Sequence, residues 1–360
     1  MKSFRNQLIN ILLALGGVVV AYSMVELAAI TTGFLVSQNF KDRHRWFHEF
    51  LEPDDKLGFK PRANLEDFRL SWMEESVSEI ISTDEFGFRN AQRDYSSSEI
   101  FFIGDSFTWG AWVQREDTFY GLVEEQLSKP VITLGVGGYG IQQYKTLFDE
   151  FAKNYQPRLV VLCIFANDLI PLTSTFENYY QNVGWTEYES LPWYKKTLSY
   201  RIFSRSRMSQ KNNHEGAYRQ ERQQASNGLT LYRQRGASAT YLKKGENIKV
   251  ENVLSQIIDA AKDENIELLI FLFPSKESAY LHEYQHLFPG DTYLRNEEEG
   301  YQRLCRLAAK EQTSCVDLTE LFRQHAKDGV VYFPLDPHWN EAGHELAGSE
   351  ILRQIRKELP

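Results

Sequence analysis

From Ile100 onward, short and wholly apolar runs alternate with segments whose apolar residues recur at helical spacing. That alternation leaves few folds open. Ile100–Ile103 is a short apolar run of the kind found in fully buried parallel strands, and Val131–Leu134, Leu159–Phe165, Ile266–Phe273 and Cys315–Leu318 read as four further strands. Between them, Phe119, Leu122, Val123 and Leu127, with Asp117 as N-cap, mark one amphipathic helix. Tyr144, Leu147, Phe148 and Phe151 mark a second, and Val250, Val253, Leu254, Ile257, Ile258 and Ala261 a third. A last helix runs from Asn340 through Leu346, Ala347, Ile351 and Ile355. The pattern predicts a three-layer α/β/α domain around a five-stranded, parallel, doubly wound (flavodoxin-like) sheet.

The amino terminus is a different material. From Leu8 to Val25 the only polar side chains are Asn10, Tyr22 and Ser23, and Lys2 and Arg5 precede the run. Continuing past Glu26 to Ile30 supplies the roughly 20 residues of a membrane-spanning helix. Residues 1–40 therefore read as an uncleaved membrane anchor; the alternative is a signal peptide, for which Ala21-Tyr22-Ser23 is a poor cleavage site. Lys2 and Arg5 on the inner side would put the rest of the chain outside the cytoplasm, whereas Lys41, Arg43 and Arg45 argue for the reverse. Residues 41–98 follow as a polar membrane-proximal segment, punctuated by Pro53-Asp54-Asp55, Pro61 and Gly87. The α/β pattern of 99–360 is interrupted by a basic, aromatic-rich insertion at 172–247, which carries Trp185 and Trp193 and whose Gln210 to Gln224 stretch reads as partly disordered. It reads as a solvated flap, with a substrate lid or a face for anionic lipid heads as the functional alternative. Forty basic against 49 acidic residues give a net charge of −9, which argues against a general nucleic-acid binder, because phosphate would be repelled.

In sheets of this kind ligands bind outside the carboxyl ends of the strands. After the first strand comes Gly104-Asp105-Ser106-Phe107-Thr108-Trp109-Gly110; after the second, Gly135-Val136-Gly137-Gly138; after the third, Ala166-Asn167-Asp168; and before the last helix, Asp336-Pro337-His338-Trp339-Asn340. These are the parts acyl transfer needs. A serine hydroxyl is a weak nucleophile until a base takes its proton, and His338 can serve for Ser106. Asp336 can hold the imidazole in the right tautomer and stabilise the imidazolium. The oxyanion of a tetrahedral intermediate needs donors, and the backbone N–H groups of Ser106 and Gly138 and the side-chain amide of Asn167 offer three. Asp105 and Ser106 have a plainer reading as a helix cap, and Asn167 and Asp168 as a loop whose side chains bond their own backbone. Asp168 is assigned that structural role. For Asp336 the plainer reading is a helix neighbour with no link to the imidazole.

At these residues the chain resembles the SGNH (GDSL) hydrolase superfamily, named for Ser, Gly, Asn and His in four separate blocks. Gly104-Asp105-Ser106 matches the first block, Gly138 the second, Asn167-Asp168 the third and His338 the last, with Asn340 and Gly343 after it. The resemblance implies that 99–360 is an SGNH-type catalytic domain working without metal or other cofactor. Three positions depart from the family pattern: Thr133 stands for the usual Asn of block two, Phe165 for the Gly before block three's Asn-Asp, and Leu335 where the Asp is usual, the carboxylate being two residues before His338. That Asp-x-His-Trp form resembles the branch of alginate and other exopolysaccharide O-acetyltransferases, which act outside the bacterial cytoplasm. The implied function is an esterase or deacylase acting on an acylated glycan or lipid. O-acetyl transfer to a surface polysaccharide, within polysaccharide-modification machinery, is the second reading, and a non-catalytic binding or assembly protein on the same fold the third.

Three further features need a place. His282-Glu283-Tyr284-Gln285-His286 is a literal His-Glu-x-x-His, a zinc-binding pattern when helical, with Glu297 to Glu299 available for a third ligand, but Pro289-Gly290 ends any helix there. Pro274-Ser275-Lys276-Glu277, at the end of the fourth strand, lies on the same rim, with Lys276 either touching substrate or an ordinary surface charge. Among the three cysteines, Cys163 reads as core, while Cys305 and Cys315 are placed to pair if the domain lies outside the cytoplasm.

Overall fold

The computed structural model describes residues 2–32, 49–72, 77–91, 93–169, 193–197, 199–200, 221–233, 246–291 and 293–359. The chain forms two compact units, one of Met1–Arg45 with Tyr180–Ala217 and one of Trp46–Tyr179 with Tyr218–Pro360. In the first, α1 (Lys2–Thr32) contains a stretch, Arg5–Ala28, that is long and apolar enough to cross a membrane. At 1.5 Å per residue those 24 residues span about 36 Å, against about 30 Å of hydrocarbon. The carboxylate of Glu26 accepts the Tyr22 hydroxyl at 2.7 Å and the Ser199 N–H at 2.9 Å. Trp193 lies in the short turn Trp193–Lys196, whereas Trp185 and the segment 201–220 are outside the described residues.

The second unit is built on the predicted sheet. Two antiparallel hairpins precede it: β1 (Leu51–Asp54) with β2 (Gly58–Pro61), and β3 (Phe68–Trp72) with β4 (Val77–Ile81). The sheet itself consists of β5 (Ile100–Ile103), β6 (Val131–Thr133), β7 (Leu159–Phe165), β10 (Glu267–Phe273) and β11 (Ser314–Asp317), all parallel, in the order β6-β5-β7-β10-β11. A third hairpin, β8 (Glu221–Gln224) with β9 (Thr230–Arg233), enters between β7 and β10 in sequence. Along the strands side chains alternate between faces. Phe102, Val161, Cys163, Leu269, Phe271 and Phe273 meet a core shared with Phe119, Tyr120 and Val123 of α3 (Phe119–Leu127) and with Ala347 and Ile351 of the last helix, α10 (Glu341–Glu358). On the sheet's other side α5 (Glu246–Asp263) packs against α4 (Ile141–Leu147) and α8 (Tyr293–Lys310).

Local differences from the sequence reading have local causes. The N-cap of α3 is Thr118, whose hydroxyl accepts the Gly121 N–H at 3.1 Å; Asp117 belongs to the preceding 3-10 turn. Of the stretch Gln210 to Gln224, which reads as partly disordered, the last four residues are β8 and 210–220 are outside the described residues. The hairpin buries Ala225, Leu229 and Leu231 beside Tyr280 and Tyr284, which repays the cost of ordering it. The described residues of 49–98 pack closely on the sheet domain: Phe50 meets Trp109 edge-on at 5.3 Å, and the Tyr139 hydroxyl donates to the Phe59 carbonyl at 2.6 Å. Asn90 lies alongside edge strand β6, accepting the Thr133 N–H at 2.9 Å and donating to the Thr133 carbonyl at 2.8 Å, as a neighbouring strand would. Cys305 of α8 and Cys315 of β11 form a disulfide, and Cys163 is buried.

Candidate active site

β5 ends at Ile103, and the chain turns sharply at Gly104, where a Cβ would stand 2.0 Å from the Thr108 hydroxyl. The Asp105 carboxylate accepts the Phe107 N–H at 2.9 Å and so caps α2 (Ser106–Trp109). The helix cap therefore falls on Asp105 rather than on Ser106. Asp105 ends the turn, and Ser106 begins the helix at the carboxyl end of the central strands. Burial pushes Asp105 up to about 6, while the Phe107 N–H, His338 and hydrogen bonds from Asn167 and Ser106 favour its carboxylate.

His338 arrives from the loop before α10. Its Nε2 lies 2.7 Å from Ser106 Oγ, and its Nδ1 meets Asp336 Oδ1 in a short hydrogen bond. The same carboxylate oxygen accepts the His338 backbone N–H at 2.8 Å, so Asp336 fixes both the ring and the chain that carries it. Trp112 donates its indole N–H to Asp336 Oδ2 at 3.3 Å, from a backbone with φ of +70°, a region unfavourable for a bulky residue. Burial opposes a charge on His338, but the Asp336 carboxylate, with help from Asp105 and Glu79, outweighs it and raises the imidazole above its ordinary value. The proton taken from a serine is therefore held more firmly.

Two residues the sequence did not single out support this loop. Arg89, buried, donates to the carbonyls of Trp109 at 2.9 Å, Gly110 at 3.0 Å and Val113 at 3.1 Å, and pairs with buried Glu79 at 3.3 Å. It therefore grips the segment that presents Trp112. Burial pushes Glu79 up to about 7, against the pull of Arg89 and His338. No motif marks Glu79 or Arg89, because their role depends on hairpin β3–β4 and the stretch after it folding back over the rim.

Gly138, at φ of +87°, follows β6, and Asn167 lies in the single turn Ala166–Leu169 after β7. The two loops flank the one bearing Ser106, and the Val136 N–H donates to the Gly104 carbonyl at 3.3 Å. Ser106, His338 and Asp336 thus form one hydrogen-bonded chain, with Gly138 and Asn167 on the neighbouring strand ends. Asp168 is buried, accepting the Tyr144 hydroxyl at 2.7 Å and the Phe165 N–H at 2.9 Å. Burial, and then Asp105, push its carboxyl well above the usual range, and its bonds build the turn that presents Asn167. The departures from the family pattern are absorbed by packing. The Thr133 hydroxyl donates to the Thr108 carbonyl at 3.2 Å, and the Phe165 ring lies 4.3 Å from that of Phe107.

Lys276 is neither a surface charge nor on the open rim. It is fully buried, and its ammonium donates to the carbonyls of Phe333 at 3.1 Å, Pro334 at 3.2 Å and Asp336 at 2.9 Å. His282 and His286 sit exposed on the short helix Leu281–Leu287, and the described residues contain no group of three side chains placed to hold a metal ion. Glu297, weighed above as a third zinc ligand, instead accepts both the N–H (3.0 Å) and the hydroxyl (2.7 Å) of Ser275.

A serine, a histidine and a carboxylate in one hydrogen-bonded chain, at the strand ends of a doubly wound sheet, make up the constellation that serine acyl-transfer chemistry uses. The sequence profile of the GDSL-like lipase/acylhydrolase family matches residues 102–346, well over half the chain. The chain belongs to that family, and with it to the enzymes that hydrolyse or transfer acyl esters. Among solved structures, the chain is similar to an acetyl xylan esterase, AlAXEase, at 14% identity and a TM-score of 0.41, covering 71% of this chain and 98% of that one. It is similar to a G-D-S-L family lipolytic protein from Veillonella parvula at 15% identity and a TM-score of 0.42, covering 72% and 99%. A catalytic mutant of the acetylxylan esterase Axe2 from Geobacillus stearothermophilus gives 15% identity and a TM-score of 0.40, covering 72% and 94%. No curated protein matches the sequence.

Proposed function

We propose that this protein is a serine esterase or deacylase that forms an acyl-enzyme at Ser106 and acts on an acylated carbohydrate or lipid outside the cytoplasm. The observation that carries the reading is the Ser106–His338–Asp336 chain of hydrogen bonds. Ser106 Oγ attacks the ester carbonyl while its proton passes to His338 Nε2. The resulting oxyanion takes hydrogen bonds from the Ser106 and Gly138 N–H groups and the Asn167 amide. The carbon–oxygen bond to the alcohol breaks, and the alcohol leaves with the proton from His338. Water, deprotonated by His338, then releases the acid and restores Ser106. Asp336 keeps the Nδ1 proton in place throughout and stabilises the imidazolium.

A second reading, O-acetyl transfer to a polysaccharide, differs only in the last acceptor, a sugar hydroxyl in place of water. The Asp336-Pro337-His338-Trp339 spacing favours it. The location rests on α1 as a single-pass anchor with Lys2 and Arg5 inside, and the Cys305–Cys315 disulfide supports an oxidising compartment. Residues 1–40 then anchor, 41–98 lead away from the membrane, and 99–360 carry the catalysis.

Intact-mass analysis after a fluorophosphonate probe tests the nucleophile. The wild-type chain gains one phosphonyl group, and folded Ser106→Ala gains none and cleaves no p-nitrophenyl acetate. A folded wild-type protein that stays unlabelled would instead make this a binding protein on the family's fold. Running the ester assay with and without an oligosaccharide acceptor separates free acetate from acetylated sugar, and so the first reading from the second.

A further inference from the structure

The loop from Phe333 to Asp336 is held carbonyl by carbonyl. Lys276 Nζ takes the oxygens of Phe333, Pro334 and Asp336. The Tyr232 hydroxyl donates to the Leu335 carbonyl at 2.7 Å, and the Thr230 N–H donates to the Pro334 carbonyl at 2.8 Å. The loop then closes on itself through the Phe333 N–H and the His338 carbonyl at 3.0 Å. Three carbonyl oxygens turned toward one point repel one another unless a cation sits among them, and an ammonium has three N–H bonds to give. Burying that cation is costly, and the charge-assisted bonds are what offset the cost. The Tyr232 ring lies 5.7 Å from Nζ, and the neighbouring Glu277 carboxylate accepts the Tyr232 N–H at 2.9 Å.

We infer that Lys276 is the positioning residue of the acid–base pair: from the end of β10 it fixes the loop that carries Asp336 and His338, and so sets their alignment with Ser106. The inference rests on the function proposed above, in which that alignment is used. A neutral side chain of similar length fills the space but leaves three carbonyls facing each other, and the loop relaxes at its catalytic end. Asp336 bonds the ring two residues on, so a shift of its backbone carries the imidazole with it.

The test is a double-mutant cycle of Lys276→Met with Asp336→Asn, read as fluorophosphonate labelling rate and as kcat and KM on p-nitrophenyl acetate. Lys276→Met is expected to lose about 10- to 100-fold in labelling rate and kcat with KM within about threefold, because the loss falls on the transition state. In the Asp336→Asn background the same change should cost less than about threefold, since Lys276 acts through Asp336. Equal losses in both backgrounds, or wild-type labelling by a folded Lys276→Met, overturn the inference. If Lys276→Met does not fold, Tyr232→Phe, which removes the hydroxyl that bonds the Leu335 carbonyl, should cost about 3- to 10-fold, and no loss overturns it. An activity-independent readout separates this failure from that of the proposed function. The low-field imidazole proton of His338, assigned by its loss in His338→Gln, should move in Lys276→Met or Tyr232→Phe; if it stays, the inference fails whatever the enzyme's activity.

Discussion

Replacing Asp336 by Asn isolates the charge of the orienting carboxylate from its shape. The amide keeps an oxygen that can accept the His338 N–H, now made at 2.8 Å, so the loop is retained. What disappears is a negative charge against the imidazolium that forms as Ser106 attacks, together with the oxygen that accepts the Trp112 indole N–H. The two side chains are 19% and 6% exposed, a setting near the surface in which an effective dielectric of about 20 applies. At a charge separation of about 4 Å the interaction is then about 4 kcal/mol, which corresponds to roughly a thousandfold in rate. Asp336→Asn should therefore label with a fluorophosphonate, and turn over p-nitrophenyl acetate, about 10³-fold more slowly at unchanged folded fraction, with KM within about threefold. The pH profile adds an independent sign. His338 must be neutral to accept a proton, so activity rises with pH through its pKa, which burial lowers but Asp336, Asp105 and Glu79 together raise above the ordinary value. With Asp336 neutral, burial counts for more, and the rising limb should move to lower pH. A loss below tenfold, or a limb that stays in place, would refute the assignment of Asp336 as the third member.

Three other outcomes follow from packing and charge. Glu297 is buried, and burial pushes it up to about 7, so the folded state holds its proton more tightly than the unfolded chain. This contribution is full below the ordinary carboxylate pKa and is lost as pH rises through 7. Glu297→Gln should therefore remove the decline and gain of order 2–3 kcal/mol relative to wild type at pH 8, read by urea denaturation; a parallel pH dependence would argue against the shift. At Gly135 a Cβ would lie 2.5 Å from the Thr108 carbonyl carbon, with no flexible neighbour to give way. Gly135→Ala should cost about 1–3 kcal/mol and lower the melting temperature by several degrees, and an unchanged melting curve contradicts that packing. Removing the disulfide by Cys305→Ala with Cys315→Ala opens a short loop and should cost about 2–3 kcal/mol while leaving the labelling rate at 25 °C intact; loss of labelling by a folded variant would mean that the bond reaches the site.

Four of the five sheet strands were legible because burial on both faces forces uninterrupted apolar runs, and β5, β7 and β10 have little else in them; β11, at the sheet's edge, is only partly buried. The four chemical blocks were legible because each follows or precedes such an element at the rim. Hairpin β8–β9 was missed although Asn227-Gly228 between Gln224 and Thr230 is a turn signal, with Gly228 at φ of +86°. Its polar flanks, Glu221 to Gln224, hid the apolar face that follows at Leu229 and Leu231. Strand β1 holds Pro53, which the period of a strand does not predict and an edge tolerates. The roles of Lys276, Arg89 and Trp112 were out of reach for a deeper reason. Each acts on backbone carbonyls or on a carboxylate supplied from elsewhere in the chain, and such partners leave no trace in residue type or spacing. Trp112 and Asp336, in particular, stand 224 residues apart.

The side chain of Asn90 has a consequence for how copies of this molecule can meet. A parallel sheet exposes an unsatisfied row of donors and acceptors along its outermost strand, and such rows recruit strands from other molecules. β6 is only three residues long, and the N–H and carbonyl of Thr133 are already taken by a single amide. That amide is itself held by the Asp84 carboxylate at 3.2 Å and the Tyr95 hydroxyl at 3.0 Å, so an incoming strand would have to break a buried polar cluster to displace it. Growth of the sheet past β6 is thereby closed at the margin nearest the Gly138 loop, and any copy that joins this enzyme by adding a strand must use another edge.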